Sequence, residues 1–382
     1  MKKVVALLLV ALVALGFVFA NGSQENAEKI IKIGLCQPIT GSMAMSGLYS
    51  RHGVELAVDE INENGGITVG GEIYKLELLI EDNEGKVDVT INAVNKLISD
   101  GCIAIIGTNS SGTSKAGGQI ATEAKVPMIT TTGTNPDVTK VAGEYMFRTT
   151  WIDSYQGEVA AKLAWKLGGR RAALIYNNGD DYSTGIKDYF VKAFEEMGGE
   201  TFTQAYAGAE IKDFKAQITA IKNWGPDIIF LEAQAAELPL QIQQIRELGL
   251  DTQIIGAASW DNDLMIQLTP AEDIEGCIYV TTFCATSDDP LAKAFTEAYQ
   301  AKWDGELPMN QAVMSYNAVK VIEEALKHCS TVNGGEELRD AIWAVDMDLP
   351  NGHFSYDENR DPQVSGVVMW YKDGKGQYYG EV

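Results

Sequence analysis

Short apolar runs alternate with amphipathic stretches along most of this chain. Segments 30–36, 74–82, 103–107, 128–130, 171–176, 201–207, 228–231 and 253–255 are mostly runs of Ile, Val and Leu bounded by Gly, Pro or Asp. Such runs predict strands covered on both faces. Between them, 45–64, 87–100, 115–126, 154–167, 184–197, 214–224 and 237–248 predict helices. This alternation implies an α/β fold of mainly parallel sheets flanked by helices. A strand at 276–280 is followed by three predicted helices, at 290–303, 310–328 and 335–345. The tail, 352–356 and 367–371, reads as antiparallel hairpin strands with Asn-Gly and Asp-Gly turns. Two α/β sets in series make two lobes, and a ligand belongs beyond the carboxyl ends of their strands.

The first residues stand apart from this pattern. Lys2 and Lys3 precede an apolar run from Val4 to Phe19, and Val18-Phe19-Ala20 ends it on small residues. Residues 1–20 are therefore expected to be a secretory signal peptide, and polar 21–29 a flexible tether. The run is short for a membrane anchor. The first cysteine is Cys36, so no lipid attachment is expected, and the mature chain should be periplasmic and free.

Charge and cysteine content narrow the partners. A formal charge of −23 disfavours nucleic acid and anionic lipid. The five cysteines form no C-x-x-C, so neither a zinc site nor a disulfide framework is expected. Buried thiols are the default reading, with a Cys277–Cys284 bridge as the alternative. Asp180-Asp181 and Asp288-Asp289 suit turns better than calcium. His52, His328 and His353 are isolated, and no hydrolase, zinc-protease or nucleotide-binding motif occurs. Catalysis, cofactors and metals are not expected.

Two hydroxyl-rich loops carry the candidate chemistry. The first, Gly107-Thr-Asn-Ser110-Ser111-Gly-Thr113-Ser114, links a predicted strand to a helix. Unpaired N–H groups and the positive dipole end at a helix start can hold a carboxylate, with hydroxyls as extra donors. Simple capping is the competing reading. The second is Thr130-Thr-Thr-Gly-Thr134-Asn135-Pro136, which again follows a strand.

These loops, with Ile33-Gly-Leu-Cys-Gln-Pro-Ile-Thr-Gly41, Gly53-Val-Glu-Leu-Ala-Val-Asp-Glu-Ile-Asn62, Phe147-Arg148-Thr149 and Ser315-Tyr316-Asn317-Ala318, resemble periplasmic binding proteins for leucine, isoleucine and valine. The resemblance runs in order along the whole mature chain. It implies a type I periplasmic binding fold with a three-stranded hinge. The N-terminal lobe would be 30–150 plus 282–356, and the C-terminal lobe 153–279 plus 361–382. The resemblance puts a ligand carboxylate on Ser111. It puts the amino group on the Thr132 carbonyl and the Thr134 hydroxyl, with Tyr182 facing them from the opposite lobe. The family's amine-pairing acid falls near Ala258, a departure that leaves Asp261, Asp263 or Glu232 as substitutes, or none. Ser46 and Gln234 stand where larger or aromatic side chains line related pockets, and Ala235 does the same. Trp260 and Phe283 are candidates for stacking on the ligand, with core packing as the alternative. Asp153 and Gln156 resemble interlobe positions, although Asp153 also suits a helix cap.

The implied function is a monomeric solute-binding protein that captures a branched-chain amino acid, or a related small amino acid or amide, for the permease of an ATP-binding cassette transporter. The alternatives are a sensory receptor of the same fold for amides, urea or other small polar molecules, and an exported hydrolase.

Overall fold

A strand of alternating and then continuous burial, β1 (Ile30–Gln37), begins the first lobe. It is followed by α1 (Ala44–Glu63), β2 (Ile67–Val69), β3 (Glu72–Asp82), α2 (Val87–Ser99), β4 (Ala104–Ile106), α3 (Ser111–Glu123), β5 (Met128–Thr130), α4 (Asp137–Ala142) and β6 (Met146–Arg148). Their strands form a six-stranded sheet in the order β2-β3-β1-β4-β5-β6, parallel except for β2 at the edge. The computed structural model describes residues 28–208, 211–364 and 366–381. The expected signal peptide, and the tether as far as residue 27, lie outside the described residues.

The second lobe begins with α5 (Asp153–Lys166), β7 (Arg171–Asn177), α6 (Asp181–Glu196), β8 (Glu200–Tyr206), α7 (Lys215–Trp224), β9 (Ile228–Leu231) and α8 (Leu238–Glu247). It continues through β10 (Gln253–Gly256), a 3₁₀ turn (Ala258–Trp260), α9 (Leu264–Leu268), α10 (Ala271–Ile274) and β11 (Ile278–Thr281). The chain then forms α11 (Pro290–Lys302), α12 (Asn310–Lys327), α13 (Gly335–Trp343), β12 (Asp346–Leu349), β13 (Gly352–Ser355), β14 (Val367–Lys372) and β15 (Lys375–Glu381). The second sheet runs β15-β14-β11-β10-β9-β7-β8, with β14 and β15 antiparallel and the rest parallel.

Packing assigns the late helices to the first lobe. Val313, Met314, Val319 and Ile322 of α12 share one core with Ile31, Ile33 and Leu35 of β1. Each such fully buried aliphatic side chain contributes about 1.5–3 kcal/mol. The crossing of α1 and α12 is tight, since a Cβ on Gly53 would lie 2.0 Å from the Ala312 carbonyl oxygen. Only glycine fits there. In the second lobe, Phe190 stacks on Phe230 at 4.3 Å between ring centres on one face of the sheet. Ile218, Ile229 and Trp260 fill the other face.

Several local expectations change. Helix α3 starts at Ser111 rather than Lys115, because Ser110 caps it by accepting from the Thr113 N–H at 3.4 Å. Asp153 is the first residue of α5 and not its cap, which is Ile152. The segments 352–356 and 367–371 are hairpin strands whose partners are β12 and β15. The Asp373-Gly374 turn has positive φ at both residues (53° and 71°), as a two-residue turn between twisted strands requires. His353 lies in β13, and His52 is stacked on Trp303 at 3.7 Å. All five cysteines are buried and free, so the Cys277–Cys284 bridge does not form. Among the described residues, no helix is long and apolar enough to cross a membrane.

Candidate ligand-binding cleft

The carboxyl ends of the two parallel sheets face one another across a cavity of about 60 Å³ lined by Ser46, Asn109, Ser111, Thr132, Thr134, Tyr182, Gln234, Ala258 and Gln311, among others. It continues into a wider space of about 430 Å³ past Met43, Ser46, Ser110, Gln234 and Ala235. Eight of the sequence-selected residues are thus brought together: Ser46, Ser111, Thr132, Thr134, Tyr182, Gln234, Ala235 and Ala258.

Most of the hydroxyls in the two loops brace one another. Thr108 Oγ1 lies 2.5 Å from Thr113 Oγ1 and 2.9 Å from Ser114 Oγ, and Ser114 Oγ lies 2.8 Å from Thr130 Oγ1. Thr132 Oγ1 donates to the Asn109 carbonyl at 2.9 Å and ties the loops together. Capping and bracing therefore account for Ser110, Thr113 and Ser114. Ser111 differs. Its Oγ accepts from the Asn135 N–H at 3.2 Å, and its own hydrogen, beside the start of α3, has no acceptor among the described residues. Buried Arg148 holds the second loop by donating to the carbonyls of Gly133 (2.8 Å) and Asn135 (3.1 Å), and pairs with Asp361 at 2.6 Å. Thr134 presents a buried Oγ1 with no protein partner among the described residues.

The opposite wall comes from the second lobe. Asp180 caps α6 by accepting from the Tyr182 N–H at 3.1 Å, and also accepts from Gln234 Nε2 at 2.7 Å. This fixes both cavity residues. Tyr182 donates its hydroxyl hydrogen to Glu232 Oε2 at 2.7 Å, and Ser259 Oγ donates to the same oxygen at 2.8 Å. The Ala257 N–H donates to the other oxygen. Burial pushes the Glu232 carboxyl up to about 8. The methyl group of Ala258 lines the cavity where the resemblance places an acid. Glu232, from the end of the adjacent strand β9, puts a carboxylate directly behind Tyr182.

Six candidates lie elsewhere. Trp260 is fully buried in the second-lobe core, where its indole N–H donates to the Leu231 carbonyl at 2.9 Å. Phe283 packs edge-on against Phe295 at 5.7 Å in the first-lobe core. Asp261 accepts from Thr281 Oγ1 (3.1 Å) and the Asn310 N–H (3.2 Å), a contact between lobes rather than with the cavity. Asp263 is likewise taken, accepting from Tyr49 Oη at 2.5 Å. Asp153 and Gln156 are buried and bonded to each other at 2.8 Å, outside the cavity lining.

Sequence reasoning missed Asn109, Thr150, Asn310 and Gln311 in the lining. The Asn310-Gln311 pair directly before the apolar run Ala312-Val313-Met314 was the available signal. The lobes also touch through Lys115–Asp181 at 2.5 Å and Asn135 Nδ2 donating to the Asp181 carbonyl at 3.1 Å. Among the described residues no group of three side chains could hold a metal.

The family model for periplasmic binding proteins matches residues 30–375. A Leu/Ile/Val-binding protein of Rhizobium johnstonii is 31% identical over 351 residues, 90% of this chain and 92% of that one. The crystal structure of a leucine-binding protein from Thermotoga maritima superposes with a TM-score of 0.85 at 28% identity, covering 92% of this chain and 98% of that one. A branched-chain amino acid transporter substrate-binding protein from Streptococcus pneumoniae, in complex with isoleucine, gives 0.84 at 28% identity, covering 93% and 99%. With the match spanning both lobes and the cleft between them, the chain belongs to the periplasmic binding protein family.

Proposed function

We propose that this protein is the solute-binding subunit of an ATP-binding cassette importer. It captures a branched-chain amino acid, or a related small amino acid or amide, between its lobes and hands it to the permease. One observation carries the reading: a single cavity offers both donors suited to an anion and acceptors suited to a cation. The α3 N-terminus and the Ser111 hydroxyl suit a carboxylate. Thr134 and Tyr182, with Glu232 behind the tyrosine hydroxyl, suit an ammonium group. A zwitterion leaving water needs both charges paired. The names of the relatives support the solute class.

In this reading the N-terminal lobe is 30–150 plus 282–356 and the C-terminal lobe 153–279 plus 361–382. They hinge through three passages and shut on the solute. The protein is exported through residues 1–20, acts in the periplasm as a monomer, and performs no chemistry on its ligand. Isothermal titration against amino acids, amides and ureas tests it. Binding of one solute per chain, weakened at least tenfold by Ser111→Ala, is the expected result. Silence from folded protein, or unchanged binding by the variant, would refute it.

A further inference from the structure

Several residues that line the cavity carry a buried polar atom with no partner among the described residues. Asn109 Nδ2, Thr134 Oγ1, Thr150 Oγ1 and Gln311 Oε1 are each buried and unbonded among the described residues. All four residues line the same small space, and each is at most 6% exposed. Buried polar groups of native proteins are almost always satisfied, so a cluster of orphans marks a missing partner. Thr134 and the neighbouring Ser111, Thr132 and Tyr182 serve the charged ends of a zwitterion in the reading above. Asn109 and Gln311 remain, one carrying an unpaired donor and the other an unpaired acceptor. Asn109 Oδ1 lies 3.2 Å from Ser50 Oγ and 3.4 Å from Thr132 Oγ1, which holds the amide plane in place.

The rest of the lining agrees. Met43, Ala235 and Ala258 are its apolar members, against Ser46, Ser110, Gln234, Ser259 and Asn310. An aliphatic side chain entering this space would bury both amides unpaired. A side chain with its own donor and acceptor would satisfy them. The space is small: at about 10–15 Å³ per water-sized group, about 60 Å³ holds only a few such groups.

We infer that the ligand is a small amino acid with a carboxamide or hydroxyl side chain rather than a branched-chain one, and that Asn109 and Gln311 set this preference. The inference rests on the amino-acid reading above. A site built around hydrogen bonds rejects an analogue lacking them more strongly than an apolar pocket rejects a missing methylene.

Isothermal titration of the full mature chain with asparagine, glutamine, serine and threonine, against leucine, isoleucine and valine, decides it. At least one polar amino acid is expected to bind tenfold or more tighter than every branched-chain one. Gln311→Met should keep the thermal midpoint, because the Gln311 Oε1 makes no bond within the fold, and should narrow that ratio at least fivefold. A branched-chain amino acid binding as tightly as the best polar one overturns the inference and leaves the amino-acid reading standing. Equal losses for both groups in Gln311→Met also overturn it. Silence from all seven overturns both.

Discussion

Tyr182 and Glu232 form a buried pair in which the tyrosine hydroxyl donates to the carboxylate at 2.7 Å. Because its hydrogen is committed, the Tyr182 oxygen can only accept from a solute, and an arriving ammonium group favours the ionised form of the Glu232 carboxyl behind it. A hydrogen bond involving a charged group is worth about 1.5–3 kcal/mol. Tyr182→Phe should therefore weaken binding of an ammonium-bearing solute by about 10- to 150-fold. Titration calorimetry on protein with a native circular dichroism spectrum measures this, and a change below twofold would remove Tyr182 from the site.

The buried acids predict how stability responds to pH. Burial raises Glu232 to about 8 and Asp153 and Asp261 to about 7. In the unfolded chain these groups titrate near their ordinary values, so between those values and the raised ones the folded state holds more protons. Stability must then fall as pH climbs through that window. The melting temperature of ligand-free protein should drop between about pH 5 and pH 8, and Glu232→Gln should make the drop shallower. A melting temperature that rises across this range would contradict the assignment.

Lys115 on α3 and Asp181 on α6 meet across the cleft at 2.5 Å, both partly exposed. Exposed pairs of this kind contribute about 0.2–1 kcal/mol and weaken with salt. Lys115→Ala should speed solute release by about 1.5- to 5-fold at low salt, with little change in melting temperature. Stopped-flow release measured at low and high salt checks it. An effect that survives high salt would point to a different role for the lysine.

Trp260 is a core residue, and its replacement should act on stability. Trp260→Phe loses the bond to the Leu231 carbonyl and leaves unfilled volume between Tyr279 and Tyr371. A destabilisation of about 2–3 kcal/mol is expected. Chemical denaturation should show it, while selectivity among solutes stays as in the parent. Altered selectivity would return Trp260 to the cleft.

The sequence made the long elements legible because apolar periodicity over many residues is hard to mistake. The α3 boundary slipped since hydroxyl residues serve loops and first helical turns alike. Strands β2 and β6 went unseen because three residues carry no period. Trp260 and Phe283 show why aromatic positions mislead: core and ligand walls demand the same chemistry, and only the fold tells them apart. Glu232 shows the opposite difficulty. It sits 26 positions before Ala258 in the chain, yet Ile229 of β9 lies beside Ile254 of β10, so neighbouring strand ends bring its carboxylate to the gap. No local pattern could reveal that.

The Gln311 amide oxygen has no partner among the described residues, whereas Arg148 is engaged by two carbonyls and a carboxylate. Inheritance can therefore rewrite one without disturbing the other. Under the proposed selectivity, exchanging residue 311 alone would change the preferred solute and leave the frame as it is.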